Sequence, residues 1–367
     1  MKIYCNKSEL NKAINNLYHA VPTRTTSNIL EGILVEINNG IMKMIATDTT
    51  ITIESVISVN CNESAAFVVP AKLFGSIINK LPEDEIMIDY DPSRVKINIK
   101  CAGSNSELVC FKSDDFPKIK LNEGENIIYL SKEDIKKVIR KTAFSASTDE
   151  FNGILTGVLL EIKNGNLKMV GVDPFRIATY NVEVNNNADV SVVIPAKLIN
   201  EVAKIISDEG EDKMSLEIID KKVVMKFDNN KVIINTFSGK YIDYERILNK
   251  QGDINVRVKR SDLLKGIDRA SLLASVQNNN LIKFNISGDI ITINSLSEEG
   301  NIEEKIEIIK DGNDLLIGLN AKYLKDVFSV IEDEEVIMNL KDSVSPCIIK
   351  PLKGEKYTYL VLPIRIN

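Results

Sequence analysis

The sequence predicts an α+β protein of three tandem domains of one kind, each with two helices packed on antiparallel sheets. The first observation behind this is a repeat. Val69-Pro70-Ala71-Lys72-Leu73, Ile194-Pro195-Ala196-Lys197-Leu198 and Leu319-Asn320-Ala321-Lys322-Tyr323 each stand between an apolar run and an amphipathic stretch, spaced by 125 residues both times (70 to 195, 195 to 320). Solenoid repeats have periods of about 20–50 residues, so a period this long is domain-sized. The second observation is that other segments return in step. Asn38-Asn39-Gly40-Ile41-Met42-Lys43-Met44 recurs as Lys163-Asn164-Gly165-Asn166-Leu167-Lys168-Met169, with Asp48 and Asp173 following at matching positions. The third is composition: aromatic residues make up 6% and Trp is absent, so Ile, Val and Leu must fill the cores. That β-branched bias favours sheet. Over 367 residues the domains are expected at 1–124, 125–250 and 251–367.

Each domain opens with a strand (2–5, 127–130 and 254–258), followed by a helix. In the middle domain Ser131 suits an N-cap, and Glu133 and Asp134 fall in the first turn, where the helix dipole favours acid. Ile135, Val138, Ile139 and Thr142 share one face while Lys136, Lys137 and Arg140 point away. Strands at 157–162 and 167–170 flank Asn164-Gly165, a hairpin signal. The run 192–194 leads into Pro195, which suits a helix start. A second helix over 196–206 carries Leu198, Ile199, Val202, Ile205 and Ile206, and strands follow at 214–218, 223–227 and 232–237. Six helices result, at 8–19, 71–80, 131–141, 196–206, 260–270 and 321–330, with about eight strands per domain.

Several function classes are disfavoured. His19 is the only histidine, which argues against His-based zinc sites and Ser-His-Asp hydrolysis. No phosphate-cradling Gly-rich motif is present, so neither a nucleotide nor any other cofactor is expected. Cys5, Cys61, Cys101, Cys110 and Cys347 are scattered and odd in number, and read as reduced thiols of a cytoplasmic protein. The start of the chain lacks an apolar signal region, and no run of about 18 apolar residues offers a membrane span. A non-catalytic protein is expected.

Charge is divided unevenly. The six expected helices sum to +8 whereas the chain is −6, leaving −14 elsewhere. Besides Lys72 and Lys197 near the starts of their helices, Lys12, Lys137, Arg140, Lys265, Arg269, Lys322 and Lys325 lie away from the expected core faces. Such residues are either ordinary solvated helix faces or a surface for nucleic-acid phosphates, held by sequence-independent and salt-sensitive attraction. Aromatic residues hardly interleave with them, Tyr323 between Lys322 and Lys325 apart, so a duplex fits better than stacked single-stranded bases.

The repeat, together with Ala46-Thr47-Asp48, Asp115-Phe116-Pro117, Val172-Asp173-Pro174-Phe175-Arg176-Ile177-Ala178 and the ending Tyr359-Leu360-Val361-Leu362-Pro363-Ile364-Arg365-Ile366-Asn367, resembles the bacterial sliding clamp family, the β subunit of DNA polymerase III. The resemblance covers the whole chain. It implies clamp domains that close as a head-to-tail homodimer into a six-domain ring, helices inward around duplex DNA and sheets outward. It implies a processivity factor that tethers the replicative polymerase and other replication and repair proteins, is opened by an ATP-driven loader, and associates with the nucleoid. Arg24 and the loop near Ser147-Thr148-Asp149 correspond to family positions near DNA.

The resemblance also implies a partner-peptide cleft. From the second domain it would take Leu155, Val172, Pro174, Phe175, Arg176 and Ile177, then Ile242, Arg246 and Ile247. From the third it would take Asn320, Tyr323, Val344 and Pro346, then Leu360, Leu362, Pro363, Ile364 and Arg365. Pro174-Phe175 replaces a Gly and a polar residue of many relatives, and Ile242 stands where Pro is frequent. Read without the family, 359–366 alternates like a final core strand and Asp173 with Arg176 forms a local ion pair. The implied dimer seam pairs the strand 107–111, including Leu108, with a strand near 301–308, helped by an apolar plug of Leu272 and Leu273. Glu298, Glu299, Glu303 and Glu304 would face lysines such as Lys72 of the other copy, or else form solvated acidic loops. Two rivals stand beside the clamp: a carboxylate–lysine enzyme around Asp173 and Arg176, and a three-repeat protein-interaction scaffold that does not act on DNA.

Overall fold

The computed structural model describes residues 1–118, 121, 127–186, 188–249, 251–277 and 279–366; the expected boundaries at 124/125 and 250/251, and residue 367, lie outside them. Two compact units share the three repeats, Met1–Glu133 with Glu201–Thr236 and Asp134–Asn200 with Phe237–Asn367. The middle repeat is divided because each of its halves continues the sheet of a different neighbour.

In the first unit a four-stranded sheet runs Lys2–Asn6, Glu85–Asp91, Lys96–Cys101, Ser104–Val109. A nine-stranded sheet joins repeats one and two where Asn230–Asn235 pairs antiparallel with Ile51–Ser58, Val232 opposite Ile53. Helices Lys7–Leu17 and Ala71–Lys80 bury Leu10, Ile14, Phe74 and Ile78. In the second unit a twelve-stranded sheet joins repeats two and three, where Arg176–Glu183 pairs with Tyr357–Val361 and Tyr180 lies opposite Tyr357. Each junction pairs a strand that would otherwise be an open edge, so it satisfies the backbone and removes a site for aggregation.

The expected hairpin forms at Asn164-Gly165 (φ 51° and 73°), and the matching segment of the first repeat turns in the same way at Asn39-Gly40 (φ 50° and 76°). Both central residues are left-handed, the geometry that matches strand twist and that Asn-Gly adopts at least cost. The helices Ala71–Lys80 and Ala321–Val330 fall where expected, and Lys132–Thr142 and Ala196–Ile205 within a residue of it.

Other expectations need correction. The fifth helix runs Arg260–Gln277, well past 270, because Ala270 and Ala274 continue its buried face. A short helix Tyr244–Leu248, capped by Asp243 accepting from the Arg246 N–H at 3.3 Å, was not expected at all. Beside the expected cap residue Ser131, the carboxylate of Asp212, distant in sequence and not expected here, accepts from the Glu133 N–H (3.0 Å) and from the Ser131 hydroxyl (2.7 Å) at the start of Lys132–Thr142. The strand expected at 107–111 is two strands in different sheets, Ser104–Val109 and Phe111–Lys112, with Cys110 buried between them. All five cysteines are free and buried, and burial pushes the thiols of Cys5, Cys110 and Cys347 up to about 12.

Candidate functional site

The site starts from a turn used twice. In the first repeat Asp48 accepts from the N–H groups of Thr50 (2.8 Å) and Ile51 (2.9 Å); in the second, Asp173 accepts from those of Phe175 (2.7 Å) and Arg176 (2.9 Å). The backbone device is the same, but Ile51 of one repeat is replaced by Arg176 in the other. Arg176 is only 8% exposed, and each of its three guanidinium nitrogens donates a hydrogen bond. Nε donates to Asp173 Oδ2 (2.9 Å), Nη1 to Asp326 Oδ2 (2.5 Å) and Nη2 to the Phe144 carbonyl (2.7 Å). It lies 4.5 Å from the Tyr323 ring centre and 5.5 Å from that of Phe144, and Phe175 stacks on Tyr323 at 6.3 Å and 21°. Burial raises the Tyr323 phenol, with Asp173 adding to the shift and Arg176 opposing it.

The chain end is laid beside this cluster. Leu362 N–H donates to the Phe175 carbonyl and Ile364 N–H to the Gly318 carbonyl, both at 2.8 Å. Gly318 makes that approach possible: a Cβ there would lie 2.6 Å from Ile364 O and 3.0 Å from Ile366 Cγ1. Asn320 caps the helix Ala321–Val330 by accepting from Tyr323 N–H at 3.1 Å, which orients the first turn that carries Tyr323.

The structure therefore draws many of the expected cleft residues together. Val172, Ile177 and Leu360 belong to one buried cluster against which Leu155, Ile247 and Leu362 pack. Val172, Ile177 and Leu360 are buried and present no surface themselves. Phe175, Ile242 and Val344 are 54%, 40% and 67% exposed; Pro174, Arg246 and Arg365 are also exposed, and Pro346, Pro363 and Ile364 are half-buried. Asp326 and Phe144 were missed. Asp326 stands three residues after Tyr323 on one helix, hence on the same face, which was the available signal.

The cations fare less simply. Lys12 pairs with Glu209 (3.0 Å), Arg140 with Glu332, Arg269 with Glu304 (2.6 Å) and Lys325 with Asp268 (2.9 Å). These four were expected to lie away from the core faces, and a carboxylate partly neutralises each of them. Arg24, Lys72, Lys197, Lys265 and Lys322 are exposed, and Lys137 is half-buried.

Seam residues are sorted similarly. Leu108 is 4% exposed and belongs to the core, because side chains alternate along a strand and its neighbour Val109 takes the outer face at 62%. Leu272 is 68% exposed and Leu273 half-buried. Glu298 and Glu299 are exposed, but Glu303 pairs with Lys305 (3.2 Å) and Glu304 with Arg269. Among the described residues, the strand Ser104–Val109 ends its sheet and residues 300–307 of the strand Gly300–Asp311 pair on one side only.

Among known protein families, residues 1–120, 129–243 and 245–365 match the N-terminal, central and C-terminal domains of the DNA polymerase III beta subunit. The chain belongs to the DNA polymerase III β-subunit family. A beta sliding clamp of Staphylococcus aureus strain Mu50 is 30% identical over 363 residues, 96% of each chain. The sliding clamp structure from Bacillus subtilis is 28% identical with a TM-score of 0.95, and the β-subunit structure from Thermotoga maritima 26% with 0.93, both covering 100% of each chain. Three clamp domains and a sliding-clamp function in DNA replication follow, and the scaffold that ignores DNA is not favoured.

Proposed function

We propose that this β-subunit family member acts as a homodimeric ring on duplex DNA and tethers the polymerase III catalytic subunit, the clamp loader and other partners through the cleft around Arg176. The observation that supports it most is the succession of three β-subunit domains over nearly the whole chain. The two open edges, Ser104–Val109 and residues 300–307, suit head-to-tail pairing between copies, with Leu272 and Leu273 as the apolar plug. The domain boundaries stay proposed at 124/125 and 250/251. The clamp is non-catalytic, cytoplasmic and bound to the nucleoid through DNA, and needs no cofactor of its own.

The mechanism needs little binding energy. A closed ring prevents escape topologically, so a few exposed cations such as Lys72, Lys197, Lys265 and Lys322, with Arg24, hold phosphates loosely enough to slide. Helix cations paired with surface carboxylates can exchange those partners for phosphate, because such exposed pairs hold weakly. The cleft, largely preformed and apolar on its floor, takes an extended segment at small ordering cost.

Retention on nicked circular plasmid before and after linearisation, with a clamp loader and ATP, tests this. Retention on circles with rapid loss from linear ends is expected. Equal retention on both would refute the ring.

A further inference from the structure

We infer that Asp326 is a positioning residue of the cleft: with Asp173 it locks Arg176 as a strut that fixes the aromatic platform of Tyr323 and Phe175, so the partner segment meets the rings and not the guanidinium. This rests on the reading of the site as a partner-peptide cleft.

Arg176 is a buried cation of the proposed cleft, and by charge alone it would be chosen to read an acidic group of a partner. Its geometry says otherwise. Each guanidinium nitrogen already has an oxygen acceptor within 2.9 Å. Tyr323 and Phe144 lie against it at cation–π distance, and only 8% of the residue meets solvent. A planar fork held at three points and stacked on rings has little freedom left to turn towards a ligand. Two carboxylates against one guanidinium also leave the cluster formally negative, so an incoming carboxylate would be repelled.

What the strut does hold is accessible. Tyr323 is half-buried and Phe175 is 54% exposed, the two stacked together. Asp326 and Tyr323 sit one turn apart on Ala321–Val330, so the carboxylate that binds Arg176 and the ring that covers it move as one body. Asp326 reaches across from the third repeat to a side chain of the second, and so sets the distance between the two walls of the cleft. Reading of polar groups on a partner falls to the exposed Arg246 and Arg365.

The test uses the full-length dimer and a heptapeptide recovered by panning a random phage library against it, retained only if removal of residues 362–367 abolishes its binding. Arg176→Gln and Asp326→Asn should each weaken that peptide about tenfold, the double variant should be no weaker than either, and Asp326→Glu should regain most of the loss. Neutralising an acidic residue of the peptide should change affinity by the same factor in wild type and in Arg176→Gln. Effects that multiply in the double variant, or unchanged binding by Asp326→Asn, would make Arg176 itself the ligand and overturn the inference. If Arg176→Gln does not fold, Asp326→Asn against Asp326→Glu decides alone, with melting temperature and dimer mass recorded for both. Recovery of no peptide that depends on the tail would defeat the cleft reading and this inference together, whereas loss of coupling with tail-dependent binding intact defeats only the inference.

Discussion

Single positions show how a repeated domain acquires a site. Asp48 and Asp173 close the same turn, yet the third residue after each is Ile51 in one case and Arg176 in the other. One substitution at a preformed turn installs a buried guanidinium, and it survives because Asp173 and Asp326 both reach it. Removing one partner of such a buried pair typically costs about 3–5 kcal/mol. Gly318 matters for a different reason, since it admits the chain end. In Gly318→Ala the new methyl would meet Ile364 O, lifting the tail from its seat. Overpacking of this kind costs about 1–3 kcal/mol, so a modest drop in melting temperature is expected alongside loss of peptide binding by fluorescence anisotropy. Unchanged binding would place the tail outside the cleft. The buried cysteines should stay silent to a thiol-titrating reagent in the native protein and react once it is unfolded, since burial holds three of the thiols at about 12.

At the scale of elements, caps and edges carry the argument. Hydrogen bonds from the Ser131 hydroxyl and the Glu133 N–H hold the Asp212 carboxyl below its usual range. A carboxyl with a depressed folded-state pKa stabilises above its unfolded value and loses that contribution as pH falls through the folded one. Asp212→Ala should therefore destabilise by about 1 kcal/mol at neutral pH. The difference from wild type should shrink below about pH 4, as seen in denaturant midpoints across pH. A gap that persists in acid would mean that the side chain acts through packing.

Edges explain the split of 107–111. Alternation sends Leu108 inward and Val109 outward, and the chain crosses to a second sheet at Cys110. The sequence pattern for one continuous strand and for two strands in different sheets is the same over so short a run.

At the scale of the molecule, the proposed association rests on strand edges and exposed apolar side chains. Replacing Leu272 and Leu273 together by glutamate should yield monomers in analytical ultracentrifugation at micromolar concentration. A stable dimer in that variant would move the seam elsewhere. Deletion of residues 362–367 separates two roles of the chain end. Loss of peptide binding with the dimer intact is expected; loss of folding would mean that the half-buried Leu362 and Ile364 serve mainly as core.

The repeat length, the helix starts at Ala71 and Ala321, the Asn164-Gly165 hairpin and the family were all legible along the chain, because each depends on residues within one turn or on a spacing that recurs. The tertiary structure alone decided the rest. It alone showed that Asn230–Asn235 and Arg176–Glu183 continue the sheets of different repeats, and so divide the middle domain between two units. It alone engaged Arg176 with Asp326, gave Asp212 to a helix far from it in sequence, and tied Lys12, Arg140, Arg269 and Lys325 to carboxylates. A helical pattern tells which side chains face away from their own core. Which partner each of them then meets is set by long-range packing, and no local spacing records it.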